Sequence, residues 1–153
     1  MSEEKPLGLK KVVATSGGFD PIHIGHLRCF QEARKLGDYL IVILNDDNWL
    51  KRKKGRIFMT ANERSEIIKG FGCVDDVLIL QSERDDVIDA LELLKPNVFA
   101  KGGDRTAENT PEKEFCEKNG IEIIYGIGGE KIRSSSELLD NYCNEAQAKK
   151  EKT

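Results

Sequence analysis

Both histidines of the chain, His23 and His26, stand three residues apart in one short segment. Imidazole nitrogens can donate hydrogen bonds to phosphate oxygens, carry protons or ligate metals. Glycines at positions 17, 18 and 25 flank the pair, and glycine lets a backbone approach a bound group closely. The segment is therefore a candidate for phosphate chemistry, metal binding or helix capping.

The histidine segment lies where a strand is predicted to meet a helix. Residues 12–15 are apolar or β-branched, as in a buried strand, and apolar residues recur at helical spacing from Ile24 onward. Gly17 and Gly18 predict the tight turn between the two elements. In an open α/β sheet this junction lies at the carboxyl edge of the strands, where helix N-terminal amides face anions. We therefore expect a phosphate group to bind there.

Three further segments are predicted to leave the same sheet edge and to converge with the histidines. A basic loop at residues 51–56 offers Lys51 and Lys54, residues 101–104 add a lysine, two glycines and an aspartate, and residues 128–136 end in a serine run. Cations neutralise phosphate charge, while glycine backbones, hydroxyls and amides approach or bind its oxygens. Together these segments predict a site for a nucleoside triphosphate.

The strands and helices that must position these segments alternate along the chain. Apolar runs predict strands at residues 12–15, 39–44, 77–80, 98–100 and 121–125. Continuous buried strands joined by helices call for a parallel sheet covered on both faces. We therefore predict an α/β fold, a Rossmann-like doubly wound five-stranded parallel sheet with helices on both faces.

Local signals predict where the helices begin and how the domain ends. A capping box at Thr60 begins one helix, a cap within residues 82–85 begins the next, and Pro111 takes the first position of another. We expect one nucleotide-binding domain over residues 1–143. The charged residues 144–153 are expected to form a frayed helix end or a disordered tail.

Composition limits the classes of partner and location. Hydrophobic residues make up 39% and charged residues 33% of the chain, and the net charge is −3. We expect no nucleic-acid partner, because no global positive field attracts one, and no membrane partner, because no apolar stretch is long enough to cross a bilayer. The acidic, polar first residues lack a signal-peptide pattern, so a cytoplasmic location is expected.

The four cysteines are widely spaced and predict neither a disulfide framework nor a zinc ribbon. Cys29 follows His26 by three residues and could join both histidines as a third metal ligand. A structural zinc site normally needs four ligands, and no fourth is apparent.

Two motifs carry a resemblance to a known superfamily. Residues 18–26 resemble the HxGH motif of the nucleotidyltransferases, and residues 133–136 resemble their second, serine- and threonine-rich motif. Residues 33–40 and the Glu63-Arg64 pair are similar to the cytidylyltransferase-like branch. The resemblance extends over about residues 10 to 140.

The tetrapeptide at residues 101–104 narrows the resemblance. It resembles the KGGD segment of the adenylyltransferase domain that activates heptose 1-phosphate, whereas glycerol-3-phosphate cytidylyltransferases are similar elsewhere but differ there. Arg133 stands where the cytidylyltransferase pattern usually has an apolar residue, so the added charge could contact phosphate, or the acceptor site could differ from that of close relatives. Phe19-Asp20-Pro21 also resembles the opening of nicotinate-mononucleotide adenylyltransferases, so the choice of base stays open.

The resemblance implies transfer of a nucleoside monophosphate from CTP or ATP to a phosphorylated small polyol or sugar, with release of pyrophosphate. It also implies Mg²⁺ as cofactor and makes a homodimer plausible. The acceptor phosphate is already ionised near neutral pH, because its second pKa is about 6, so no general base is needed. Catalysis then reduces to in-line positioning and electrostatic stabilisation.

The candidate residues follow from these motifs. The catalytic candidates are His23, His26, Lys51, Lys54 and Arg64. The nucleotide-binding candidates are Gly17, Gly18, Phe19, Asp20, Gly25, Lys101, Gly102, Gly103, Asp104, Arg133, Ser134, Ser135 and Ser136. Asp20 is also the candidate Mg²⁺ ligand.

Other interpretations remain open for the function and for single motifs. The chain could transfer an adenylyl group to flavin or nicotinate mononucleotide, or it could be a nucleotide-binding sensor without turnover. The serine run is also a plain capping box, the basic segment could be a solvated surface loop, and residues 101–104 could be a simple turn.

Overall fold

The computed structural model describes residues 10–102, 110–128 and 135–152. Five strands in this part of the chain form one parallel sheet in the order β3-β2-β1-β4-β5. They are β1 (Val12–Gly17), β2 (Tyr39–Asn45), β3 (Asp76–Leu80), β4 (Val98–Gly102) and β5 (Glu122–Ile127). The predicted Rossmann-like five-stranded parallel sheet is confirmed.

Six helices accompany the sheet within the described residues. They are α1 (Ile24–Arg34), α2 (Asp47–Lys54), α3 (Ala61–Lys69), α4 (Ile88–Leu94), α5 (Lys113–Lys118) and α6 (Ser135–Lys152). Helix α6 continues through residues 144–152, so the predicted charged tail is helical where it is described. No helix in the described segments combines the length and the apolar character needed to span a bilayer.

The sheet is covered on both faces, as a doubly wound fold requires. Alternate residues of a strand point to opposite faces, so Val13 and Ala14 belong to two different cores. Phe30 of α1 and Ile68 of α3 are buried in the Val13 core, whereas Cys116 of α5, the helix after β4, is buried in the Ala14 core. The helices that follow β1 and β4 therefore lie on opposite faces.

The basic segment is a helix and not the predicted loop. Residues 51–54 form the second half of α2, which begins after Asp46, whose carboxylate accepts a hydrogen bond from the amide of Trp49 at 2.9 Å. Gly55, with φ 76, ends the helix in a left-handed conformation. A helix C-terminus favours positive charge, so the lysines and the arginine suit the last turn.

Two other helices begin later than the sequence pattern predicts. Helix α4 begins at Ile88 rather than after residues 82–85, and the amide of Val87 donates to the Glu112 carboxylate at 3.0 Å. Helix α5 begins at Lys113, two residues after Pro111. A contact over 25 residues fixes the start of α4, and no local pattern carries that information.

The side chain of Cys116 in α5 is fully buried in the Ala14 core. Burial and the nearby Glu112 carboxylate raise the pKa of its thiol to about 11, although the Lys101 ammonium acts in the opposite direction. The thiol is therefore neutral at physiological pH, and a neutral thiol is a poor metal ligand and a poor nucleophile.

Strands β1 and β4 separate toward their carboxyl ends. β1 pairs with β2 along all six of its residues, from Val12 to Gly17, whereas its pairing with β4 joins Val13 to Val98 and Ala14 to Phe99. Because the chain leaves β1 and β4 toward opposite faces, this is the topological switch point of the sheet. A crevice at such a point is where open α/β sheets bind ligands.

Candidate active site

The turn after β1 is built by close packing. Phe19, rather than either glycine, has the left-handed backbone, with φ 52. A Cβ atom on Gly17 would lie 2.8 Å from the Phe19 ring, and one on Gly18 would lie 3.1 Å from the Trp49 ring and the Leu50 side chain. The two glycines therefore provide space for side chains and do not supply the turn's unusual dihedral angle.

The histidines form a reciprocal cap at the start of α1. The Nδ1 atom of His23 accepts a hydrogen bond from the Gly25 amide at 3.1 Å, and the Nδ1 atom of His26 accepts one from the His23 amide at 3.2 Å. A neutral imidazole that accepts at Nδ1 carries its proton on Nε2. Capping therefore leaves Nε2–H as the ring donor on each histidine.

The two imidazole rings pack directly against each other. They stack with their centroids 3.8 Å apart and an interplanar angle of 24°, and the Phe19 ring meets His26 edge-on at 4.9 Å. A Cβ atom on Gly25 would lie 2.9 Å from the His23 ring, so a residue larger than glycine would clash with the ring in this position. Both predicted catalytic histidines are thus brought together and held in fixed orientation.

Arg64 is fully buried beneath the turn and donates four hydrogen bonds. Its guanidinium group reaches the carbonyl oxygens of Met59, Gly18 and Asn45 at 2.9, 2.6 and 2.8 Å, and the Asp47 carboxylate at 2.8 Å. It thereby joins the ends of β1 and β2 to the segment before α3. The structure places Arg64 as a support of the turn.

Asp20 links the turn to the segment between α2 and α3. Its two carboxylate oxygens accept hydrogen bonds from the amides of Phe58 and Met59, each at 2.7 Å. Within the described part of the chain, no group of three or more histidine, cysteine or acidic side chains is placed to hold a metal ion. Cys29, the third metal-ligand candidate, donates its thiol hydrogen to the Ile127 carbonyl oxygen at 3.4 Å.

Helix α2 presents its basic residues in two directions. Arg52 and Lys53 approach the Asp85 carboxylate at 3.7 and 3.6 Å, on the side of the segment before α4. Lys54 instead lines a small cleft with three other residues: Asp20, Arg56 and Leu139. Lys51, also predicted to be catalytic, is exposed.

Helix α6 reaches the histidine turn from the opposite end of the sequence. The Ser135 hydroxyl donates to the Pro21 carbonyl oxygen at 2.8 Å, and Arg56 lies 3.6 Å from the Asp140 carboxylate. The first and second predicted motifs therefore meet at Ser135. Ser136 follows in α6, whereas Arg133 and Ser134 lie outside the described residues.

The third predicted segment begins at the end of β4. Lys101 is buried, with its ammonium nitrogen 4.7 Å from the centre of the Phe99 ring, and Gly102 is the last residue of the strand. Both residues lie on the strand beside β1, as a shared site requires. Gly103 and Asp104 lie outside the described residues.

Gly128 brings the end of β5 against α1. Its φ is 84°, and a Cβ atom on it would lie 2.7 Å from the Cys29 sulfur. Gly126 has a similar φ of 78°, but a Cβ atom there would meet nothing within 4 Å. Both positions have a left-handed backbone, but only Gly128 is in close contact with a neighbouring side chain. Alanine substitutions at the two positions can therefore distinguish the cost of backbone strain from the cost of crowding.

We expect Gly128→Ala to destabilise the protein more than Gly126→Ala. Both variants force alanine into a left-handed conformation, at about 1–2 kcal/mol. Gly128→Ala also crowds Cys29, which adds about 1–3 kcal/mol. Urea unfolding of both variants measures the difference, and equal losses would show that α1 yields to the added methyl group.

Three residues that complete this site are absent from the candidate residues above, although Arg56 falls within the basic segment at residues 51–56. Arg56 and Leu139 line the cleft beside Lys54, and Asp47 holds Arg64 while also accepting from the Ala61 amide at 2.8 Å. The acidic pair after β2 was an available signal for Asp47. No local pattern indicates Leu139, because only the packing of α6 brings it to the cleft.

The chain is similar to known proteins both in sequence and in structure. The family model described as "Cytidylyltransferase-like" matches residues 14–136. A relative from Syntrophotalea carbinolica, "Bifunctional protein HldE", is 36% identical over 138 residues, which cover 87% of this chain and 28% of the relative. A relative of the same name from Helicobacter hepaticus is 40% identical over 139 residues, which cover 90% of this chain and 27% of the relative. The chain thus spans less than a third of the length of these relatives.

One solved structure is similar to this chain in fold and in sequence. The lipopolysaccharide core biosynthesis protein from Thermoplasma volcanium matches with a TM-score of 0.66 and 26% identity, covering 80% of this chain and 99% of that one. The family model covers more than half of the chain and includes both the histidine turn and the start of α6. The chain belongs to the cytidylyltransferase-like family.

Proposed function

We propose that the chain is a nucleotidyltransferase that moves a nucleoside monophosphate from ATP or CTP to a phosphorylated heptose and releases pyrophosphate. Family membership supports the reaction class. The resemblance of residues 101–104 to a heptose 1-phosphate adenylyltransferase domain, the relatives named HldE and the similar lipopolysaccharide core biosynthesis protein support a sugar phosphate as acceptor. Glycerol 3-phosphate remains a second acceptor to test.

The histidine pair at the switch point is the observation that carries this proposal. In the reaction, an acceptor phosphate oxygen forms a bond to the α-phosphorus of the triphosphate. The bond from that phosphorus to the oxygen between the α- and β-phosphates breaks, and pyrophosphate leaves. Negative charge grows on the α-phosphate oxygens and on the leaving pyrophosphate. The Nε2–H donors of His23 and His26, held by their caps, supply preorganised hydrogen bonds to those oxygens.

The other candidate residues have supporting parts in this mechanism. Lys54 and Arg56 neutralise the β- and γ-phosphates at the cleft, and Lys51 adds positive charge from the same helix. Ser135 presents its helix end beside the histidine turn. Arg64 acts as a positioning residue, because four hydrogen bonds to the protein occupy its guanidinium group.

Mg²⁺ fits this site as a partner of the substrate. Asp20 keeps lone pairs beyond those that accept the two amides, so it could contribute to binding the ion, while phosphate oxygens and water would provide the remaining ligands. When bound, the ion supplies charge neutralisation to the triphosphate.

We expect Lys54→Ala to raise the KM for the triphosphate about tenfold, because it removes a cation from the cleft. Lys53→Ala is the matched control on the neighbouring position, since the Lys53 ammonium faces Asp85 and not the cleft. Steady-state kinetics with a continuous pyrophosphate assay measures both variants. Equal KM changes would show that α2 acts only through its total charge.

The proposal is tested by measuring pyrophosphate release from ATP and from CTP with four acceptors. These are heptose 1-phosphate, glycerol 3-phosphate, flavin mononucleotide and nicotinate mononucleotide. We expect turnover with the heptose phosphate and one of the two nucleotides. Turnover with a mononucleotide acceptor would establish the alternative adenylyltransferase, and tight nucleotide binding without turnover would establish a sensor.

We also propose that the protein is a cytoplasmic homodimer. The resemblance to the cytidylyltransferase-like branch supports a dimer, and α6 exposes Tyr142, whose side chain is 67% accessible. Sedimentation velocity at several concentrations tests the dimer. Fractionation of cells that express the chain tests the location.

A further inference from the structure

The sheet divides into two parts at the candidate site. β1 remains paired with β2 up to Gly17, and β4 remains paired with β5 up to Gly102. Between β1 and β4, pairing stops after Ala14 and Phe99. The crevice therefore opens between two strand ends that each continue for about three residues, and something must set the width of the opening.

Thr15 spans the two strands where their pairing stops. Its hydroxyl group donates to the Ala100 carbonyl oxygen at 3.0 Å, and this contact is buried. The hydroxyl group thus joins the two strands at the first position beyond their paired residues. At the other end of the same strand pair, the Asn97 side-chain oxygen accepts from the Val12 amide at 2.8 Å.

We propose that Thr15 is a positioning residue that sets the width of the nucleotide crevice through its hydrogen bond to Ala100. Gly17 lies two residues beyond Thr15 and leads into the histidine turn, while Lys101 directly follows Ala100. One hydrogen bond thus controls the spacing of two segments that contact the substrate. The inference rests on the proposed nucleotidyltransferase function and extends it to a residue outside both motifs.

The hydroxyl can be removed without changing the size of the side chain. Thr15→Val keeps the branched shape but cannot donate, whereas Thr15→Ser keeps the hydroxyl group and loses one methyl group. Asn97→Ala is the matched control, because it removes a hydrogen bond between the same strands at the edge remote from the site. For each variant we would measure Tm, the KM for the triphosphate, kcat, and amide hydrogen exchange at Gly17 and Gly102.

We expect Thr15→Val to lower kcat/KM about tenfold, chiefly through a higher KM, because misplaced binding groups weaken substrate positioning. Exchange at Gly17 and Gly102 should become faster. In Thr15→Ser, which keeps the hydroxyl group, kcat/KM and the two exchange rates should stay within about twofold of the wild type. The same range is expected for Asn97→Ala. The Tm should fall by about 2 to 4 °C in Thr15→Val, the shift expected for the loss of one hydrogen bond.

Two results would overturn the inference. One is a Thr15→Val variant with unchanged exchange at Gly17 and Gly102, and the other is an Asn97→Ala variant with the same kinetic loss as Thr15→Val. The exchange measurement needs no substrate, so it decides the structural claim even if the wild-type chain proves inactive. An inactive wild type would contradict the proposed function, whereas an active wild type with a Thr15→Val variant of unchanged kcat/KM would contradict only this inference.

Discussion

Replacing His23 with asparagine should lower kcat by about 100- to 1,000-fold, because it removes one preorganised donor to the transition state. Asparagine is a favourable N-cap residue and can still accept from the Gly25 amide that now bonds to the ring. The variant should therefore fold with nearly the wild-type stability. Single-turnover measurement of pyrophosphate release, with Tm recorded on the same preparation, checks both expectations.

At His26, a different substitution removes the hydrogen-bond donor while keeping the helix cap. It occupies the third position of α1, where glutamine serves in a capping box and can accept from the His23 amide. His26→Gln should keep the cap and lose the Nε2–H donor, with a similar fall in kcat. Alanine at either position should also lose about 1 kcal/mol of stability, because the cap is then missing.

Unchanged kcat in both His23→Asn and His26→Gln would contradict the mechanism. The rings would then serve only to begin α1, and the hydrogen-bond donors to the phosphate would have to come from elsewhere in the crevice. A fall in kcat that comes with an equal loss of folded protein would not count in its favour, so the Tm values decide between the two causes.

Arg64→Met should reduce the free energy of unfolding by about 3–5 kcal/mol, the range found when one partner of a buried ion pair is removed. Methionine fills similar space but leaves the Gly18, Asn45 and Met59 carbonyl oxygens without their donor. It also leaves Asp47 without the guanidinium that it contacts at 2.8 Å. Urea unfolding followed by circular dichroism measures the loss.

Arg34→Met is the matched control for this loss. Arg34 also joins a carboxylate, at 3.1 Å from Asp75, and a carbonyl oxygen, at 2.8 Å from Gly37, but its side chain is 37% exposed. Exposed ion pairs contribute about 0–1 kcal/mol, so this variant should stay close to the wild type. An Arg64→Met variant as stable as Arg34→Met, yet inactive, would show that Arg64 contacts the substrate instead of supporting the turn.

The strands were predictable because a parallel sheet covered on both faces buries them completely. Residues 39–44 form an unbroken apolar run, and nearly all of them are buried in β2. Helix starts were less predictable, since they depend on contacts between distant residues. Glu112 bonds the amide before α4, and the cap on Asp46 turns a charged run that resembles a loop into the helix α2.

The site shows the same division between local and distant information. The spacing of His23 and His26, together with Gly25, was enough to predict a helix start with both rings on it, and the structure agrees. The sequence could not show that Arg64 is buried, because its hydrogen bonds reach back as far as 46 residues to Gly18. Motif resemblance identified Arg64 without indicating how it acts.

The contact between Ser135 and Pro21 joins residues that are 114 positions apart. Folding that depends on such distant contacts is slow, because the chain loses entropy before those contacts form. During translation, Ser135 of α6 leaves the ribosome more than a hundred residues after the histidine turn. The site can therefore be completed only after the first residues of α6 have been synthesised, well after those of β1 and α1.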